Sequence, residues 1–298
     1  AKTAFFAEQV QDGKDILDDN TYLVVWTTTP WTVPASEAVA VNGKFDYSVV
    51  KPANDDRQFV VATDLLDGVA DKLGWEDLEV VKHLSGNDLD GMVTKHPYID
   101  RDILVGTADY VTADAGTGLV HTAPGYGDDD SHFGLEHNLP IFAPITDQGV
   151  LTKENGADFD GVFYQDADDI SLKNLEEAGS LLLEEPLKHS YPFDWRTKKP
   201  IIFRATDQWF VSIDKMRQDI LDALEEVNYQ PSWGKTRLRN MIKDRGDWVI
   251  SRQRVWGVPL PIFYAEDGTP IMEEETINHV ADLFAKYGSN VWFDRDAK

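Results

Sequence analysis

Four short runs of β-branched and aromatic residues crowd into the first fifth of this chain: 21–26 (TYLVVW), 37–41 (EAVAV), 45–50 (FDYSVV) and 57–62 (RQFVVA). Each is too short to be a helix of ordinary length, and turn signals such as Asn42-Gly43 and Asn54-Asp55 separate them. Strands at that spacing pair with their neighbours, so the pattern argues for a meander or a barrel. Residues 63–73 (TDLLDGVADKL) then switch to helical apolar spacing, with Gly74 as the stop, and 78–82 return to strand. Further helices are expected over 128–137 and over 166–178, the latter ending at Gly179. The fold class is therefore α+β, with a barrel as the sheet form and helices at its periphery.

Acidic text gives way to a basic, Trp-rich segment near residues 186–191, which sets the expected domain boundary. Residues 191–260 hold 13 Lys and Arg against 9 Asp and Glu, whereas the rest of the chain holds 15 against 44. Different partners are expected for the two regions. Beyond the boundary the spacing predicts amphipathic helices over 214–227 and 273–287 and a basic one over 236–245. With a net charge of −25 over 298 residues, generic attraction to polyanions is disfavoured without a dedicated basic face. The absence of cysteine excludes disulfides and thiolate metal sites and is compatible with a reducing cytoplasm. No run of about 18 apolar residues and no basic-then-apolar leader is present, so the chain reads as soluble and unprocessed, without a membrane partner. Its start at Ala1 without Met reads as an excised piece of something longer.

Three constellations could carry chemistry. The first is TTTPWT, residues 27–32, directly after an apolar strand. Pro30 removes a ladder donor, so the hydroxyls of Thr27, Thr28 and Thr29 fall where a strand breaks open, able to bind a small polar substrate or hold a water. The alternative is that threonine is simply a good strand former whose hydroxyl is satisfied by backbone. The second is GTGLVHTAPGYGDDD, residues 116–130. Its glycines suggest a phosphate cradle, but no Lys follows and three Asp do. Carboxylates there attract a cation such as a free α-amino group, by roughly 4 kcal/mol at 4 Å for an effective dielectric of 20. Asp130 could equally be a helix-start acid, and His121 a satisfied core histidine. The third is DWVISRQRVWGVPLP, residues 247–261, whose interleaved Arg and Trp suit either nucleic acid or a surface that docks on a larger protein.

Together with HSYPFDWRTKKPIIFRATDQWF, residues 189–210, these motifs resemble the isoleucyl-tRNA synthetases, in order and from end to end. The leucyl and valyl relatives typically carry Arg-Pro and then an acidic residue where this chain has Thr29-Pro30-Trp31, which favours the isoleucine type. The resemblance implies a β-barrel-like editing domain over residues 1–187, its core at about 20–165. A basic connecting segment over 188–298 would lead back to an absent nucleotide-binding catalytic domain. The function implied is hydrolysis of valine wrongly esterified to tRNA(Ile). One methylene is worth only about 1–3 kcal/mol of discrimination, the known magnitude for this enzyme family, so a second pocket must correct the first.

Carried over residue by residue, Thr28, Thr29, His121 and Asp130 would be catalytic, with Asp130 holding the substrate ammonium and His121 helping to exclude isoleucine. Thr27, Trp31, Thr32, Ser36, Gly116, Thr117 and Gly118 would bind substrate. Arg196, Arg237, Arg239, Arg252, Arg254 and Trp256 would meet tRNA or the parent enzyme. Many family members have Asn where this chain has Ser36, which puts any contact by a longer amide in doubt. Asp194 and Thr197 stand where some relatives have zinc-binding cysteines, so no metal and no cofactor are expected. The HIGH and KMSKS signatures are absent, so amino-acid activation is not expected. A valyl- or leucyl-type editor, and a non-catalytic docking module, are the alternative functions.

Overall fold

The computed structural model describes residues 2–188, 190–251 and 257–295. It divides into two compact units, Ala1–Thr206 and Asp207–Lys298. The first contains ten strands: β1 (Lys2–Asp12), β2 (Thr21–Thr27), β3 (Ala38–Val41), β4 (Asp46–Lys51), β5 (Gln58–Ala62), β6 (Glu79–Ser85), β7 (Val93–Lys95), β8 (Asp102–Thr107), β9 (Leu119–Thr122) and β10 (Leu181–Pro186). Its helices are α1 (Leu66–Leu73), α2 (Gly86–Leu89), α3 (Asp128–Glu136) and α4 (Ala167–Glu177).

Six of these strands close into a barrel in the order β1-β7-β8-β3-β9-β2, shut by antiparallel pairing of β1 with β2 over Ala4–Thr27 to Gln9–Tyr22. The barrel expectation thus holds, although β1, β7, β8, β9 and β10 were not among the strands foreseen. Length explains β1. At 11 residues it reaches two neighbours along one edge, β10 beside its first half and β7 beside its second, while its other edge pairs with β2. The strands β5, β4 and β6 extend the sheet outward from the first half of β2.

Alternation along the strands fills the barrel. Phe6 and Val10 of β1, Leu23 and Val25 of β2, Ile103 and Val105 of β8 and Leu119 of β9 are fully buried in one cluster. Their intervening neighbours Phe5, Ala7 and Val24 join Val50, Phe59, Val61 and Val69 of α1 in a second. Strands covered on both faces read as unbroken apolar text. Glu8 interrupts that text. It points into the barrel with no exposed surface, its Oε2 accepting a 2.8 Å hydrogen bond from Thr94 while Oε1 has no partner among the described residues. Burial pushes its carboxyl up to about 8, so the folded protein holds a neutral acid there at physiological pH.

The second unit holds α5 (Asp214–Glu225), α6 (Trp233–Lys243), α7 (Glu274–Tyr287) and α8 (Val291–Asp294). Two short ladders join β11 (Phe210–Val211) to β12 (Trp248–Val249) and β13 (Phe263–Tyr264) to β14 (Pro270–Ile271). The three helices foreseen in this region, over 214–227, 236–245 and 273–287, appear within a few residues of those bounds. Among the described residues no helix is long and apolar enough to cross a membrane.

Candidate functional site

The wall of hydroxyls arises where β2 leaves the barrel. Pro30 carries no N–H and opens a 3-10 turn, Pro30–Ala35, so the chain swings away from the sheet just after Thr27. The ladder between β2 and β9 consists of one pair, Trp26 with Val120. Within the turn the threonines tie themselves together. Thr29 N–H donates to Thr27 Oγ1 at 3.1 Å, and both the N–H and the hydroxyl of Thr32 donate to the Thr29 carbonyl, at 3.0 and 2.9 Å. The hydroxyls of Thr29 and Thr32 lie 3.2 Å apart. Asp168, in the first turn of α4, accepts the Trp31 N–H at 3.0 Å and braces the turn from outside. The Trp31 ring is buried between Tyr126 and Tyr164, with centroids at 5.0 and 5.4 Å.

The opposite wall comes from β9 and α3. His121 points into the barrel end, its Nε2 3.0 Å from Thr32 Oγ1 and its Nδ1 3.1 Å from Ser36 Oγ. Burial, with a smaller effect of nearby His96, lowers its pKa to about 3, so the imidazole is neutral. Both ring nitrogens are occupied by protein hydroxyls. Asp130 sits in the first turn of α3, where the helix end favours an acid, and its Oδ2 accepts the Ala123 N–H at 2.9 Å. Burial raises its pKa to about 6; the Ala123 N–H opposes that, and Asp129 adds to it.

These groups meet around a cavity of about 290 Å³. Thr27, Thr28, Thr29, Trp31, Thr32, His121 and Asp130 all line it, although about 90 residues of chain separate the two walls. Asp130 is the one charged side chain among the described lining residues, which makes the space suited to a cation. Tyr126 also lines it, and its buried Oη has no hydrogen-bond partner among the described residues. The roof is Tyr191, Pro192, Ile202 and Phe203, from a strap folded on itself through a Phe193–Pro200 bridge and pinned where Ala205 N–H donates to the Gly125 carbonyl. The motif at 189–210 could have signalled this roof, since its aromatic and proline residues have no helical or strand period; the net positive charge around it concealed the role.

Four predicted substrate-binding residues do not line the cavity. Ser36 is fully buried behind His121. Gly116, Thr117 and Gly118 shape the approach to β9 instead. The backbone of Gly116 has φ +75°, and a Cβ there would lie 2.6 Å from the Trp26 ring. Thr117 is buried with its hydroxyl donating to the Leu119 carbonyl, and Gly118 accepts the Tyr47 hydroxyl. Of the basic residues, Arg196 stacks over Trp195 at 4.7 Å in the strap, and Arg237 and Arg239 lie on the exposed α6. Arg252, Arg254 and Trp256 lie outside the described residues. Among the described residues no group of three or more His, Asp or Glu is arranged to hold a metal ion.

The sequence itself places the chain in a known family. The model of class I tRNA synthetases (I, L, M and V) covers residues 9–298, and the chain belongs to that family. Within it, the chain is 82% identical over 298 residues to an isoleucine–tRNA ligase of Limosilactobacillus reuteri and 75% identical over 298 residues to one of Limosilactobacillus fermentum. It spans 32% of the length of each. Among solved structures it is similar to the editing domain of Plasmodium knowlesi cytosolic leucyl-tRNA synthetase, at 12% identity and a TM-score of 0.48, covering 62% of this chain and 97% of that one.

Proposed function

We propose that this chain is the editing part of an isoleucine–tRNA ligase and hydrolyses the ester of valyl-tRNA(Ile), working in the cytoplasm with the remainder of its parent enzyme. The observation that carries the reading is the cavity in which Asp130 faces the threonine hydroxyls across a space free of other charge. An aminoacyl ester brings an ammonium group, a carbonyl and a ribose oxygen, and each finds a complement. Asp130 binds the ammonium, whose positive charge draws the raised carboxyl pKa back down. Water held by threonine hydroxyls attacks the carbonyl carbon. The water oxygen bonds to carbon, the ester C–O bond breaks, and the proton released ends on the departing ribose oxygen. Neutral His121, held at both nitrogens, shapes the cavity and is too weak a base to take that proton.

Deacylation of valyl-tRNA(Ile) and isoleucyl-tRNA(Ile) by this chain tests the proposal. Valine should be released and isoleucine spared; equal rates on both, or none on either, overturn it. Preference for threonyl-tRNA(Val) would assign a valyl-type editor instead. A docking role for the Trp- and Arg-rich region is favoured separately by the exposed aromatics and by Arg237 and Arg239 on α6, which suit contact with tRNA phosphates or the parent enzyme.

A further inference from the structure

Residues 193–200 leave the roof of the cavity as a small hairpin. Its base is the bridge between Phe193 and Pro200, with Ile201 N–H donating to the Pro192 carbonyl at 3.2 Å. Its tip is closed by Asp194 N–H donating to the Lys199 carbonyl at 2.9 Å, Lys198 N–H to the Asp194 carbonyl at 2.8 Å, and Thr197 N–H to Asp194 Oδ2 at 2.6 Å. Trp195 on this tip is 71% exposed, with the Arg196 guanidinium over its ring at 4.7 Å, so the indole adds little to the packing of the unit. Arg196, Lys198 and Lys199 are exposed as well. Elsewhere in the unit several exposed lysines meet an acid, as Lys44 meets Asp109 and Lys95 meets Asp100. Among the described residues no carboxylate pairs with Lys198 or Lys199, although residues 166–186 just before them carry seven Asp and Glu against one Lys.

We propose that this hairpin tip grips the single-stranded end of a tRNA, a base stacking on Trp195 while Arg196, Lys198 and Lys199 neutralise the phosphates beside it. An exposed aromatic ring among cations is the combination that holds single strands, because every base has a π-face and every linkage a charge. With a net charge of −25 the chain repels a polyanion except where cations stand clear of acids, and the tip is such a place. Its position indicates which nucleotides are held. A second cavity, of about 520 Å³, shares Thr28, Thr29 and Tyr191 with the first and extends to Phe193 and Pro200 at the hairpin base. A strand whose esterified end is seated at the threonines can leave along this cavity, and it passes the tip with the nucleotides just before the terminal one. That placement rests on the editing function proposed above; the grip on a single strand does not.

Two measurements test this in the unsubstituted chain, Trp195→Ala, Trp195→Phe and Lys198→Gln combined with Lys199→Gln. One is binding of uncharged tRNA(Ile), intact or lacking its terminal CCA; the other is hydrolysis of valyl-tRNA(Ile) beside the valyl ester of adenosine. The unsubstituted chain should bind the intact tRNA more tightly, and Trp195→Ala should lose about tenfold on it, the scale of one stacked base, with no change on the shortened one. Trp195→Phe should recover most of that loss. The double lysine substitution should lower the salt slope of binding by roughly 0.7 for each phosphate released. In hydrolysis, Trp195→Ala should raise KM for valyl-tRNA(Ile) by a similar factor, while kcat and the rate on valyl-adenosine, which has no further nucleotides, stay within about twofold. Equal binding of intact and shortened tRNA by the unsubstituted chain overturns the proposal, as does Trp195→Ala behaving like the unsubstituted chain; the tip would then be a surface for protein. Equal loss of rate on both esters also overturns it, since the tip would then be shaping the cavity. If the preference for the intact end holds and depends on Trp195, yet neither ester is hydrolysed, the grip stands and the editing function fails.

Discussion

In the barrel unit Phe5, Phe6, Phe59 and Leu119 are withdrawn from water, whereas in the unit from residue 207 onward Trp233 and Phe293 are each 62% exposed and Val258 is 78% exposed. Among the described residues of that second unit, Ile213, Leu224, Val280 and Val291 are the buried apolar side chains. The barrel carries its own core; the second unit spends much of its apolar surface outward, as surfaces that meet another protein do. Stability and chemistry should therefore respond to substitution in the first unit and largely ignore it in the second.

The sharpest way to break this contrast is through the cores. Phe6→Ala should cost about 3–5 kcal/mol in denaturant unfolding, and Leu224→Ala less than half of that. Comparable losses at both sites would mean that the second unit is as firmly packed as the first. Glu8 comes next. Its folded pKa of about 8 stands above the ordinary value of 4.5, so below pH 4.5 the acid is neutral in both states and there is no penalty. As pH rises through this window the unfolded chain ionises while the barrel still holds a proton, and stability falls until about pH 8, by on the order of 5 kcal/mol. Unfolding midpoints at pH 5 and pH 8 should diverge in the unsubstituted chain and converge in Glu8→Gln.

Asp130→Ala should lower valyl-tRNA deacylation about a hundredfold, the scale of losing one buried charged partner, while leaving the unfolding midpoint nearly in place. In the unsubstituted chain kcat/KM should drop as pH falls below about 6, where Asp130 takes up a proton, and level off above it. Replacing Arg237 and Arg239 together by Ala should weaken tRNA binding only a few-fold and lower the salt slope by about one for each phosphate no longer neutralised, with kcat untouched. Trp233→Ser should change stability by no more than about 0.5 kcal/mol, since its ring is already wet.

Much of this architecture was legible from residue patterns. The runs in β2 to β5 betrayed themselves by β-branched content and turn residues, and Gly74 and Gly179 marked helix ends where the chain takes φ +64° and +70°. The strand β1 was harder because Glu8 and Gln9 look like surface residues, and nothing local reveals that one of them is an interior acid. Strands β7 and β9 are 3 and 4 residues long, below the length at which a period can be recognised. At the site, threonines beside a proline and aspartates after a glycine loop announced two walls, and their meeting across about 90 residues is a property of barrel closure. Ser36, behind His121 instead of beside the substrate, shows what spacing cannot reveal: a residue near a motif can support it from the rear. The roof at 191–203 escaped for a related reason, its charge having suggested an outer surface.

The single rung joining β2 to β9 has one last implication. Where two strands are barely laced, the residues just beyond the rung are released from the ladder, and the threonine corner leaves the sheet there while the cylinder stays closed through the pairing of β1 with β2. The hydroxyls can thus turn toward a guest without any ladder hydrogen bond of the cylinder having to be undone.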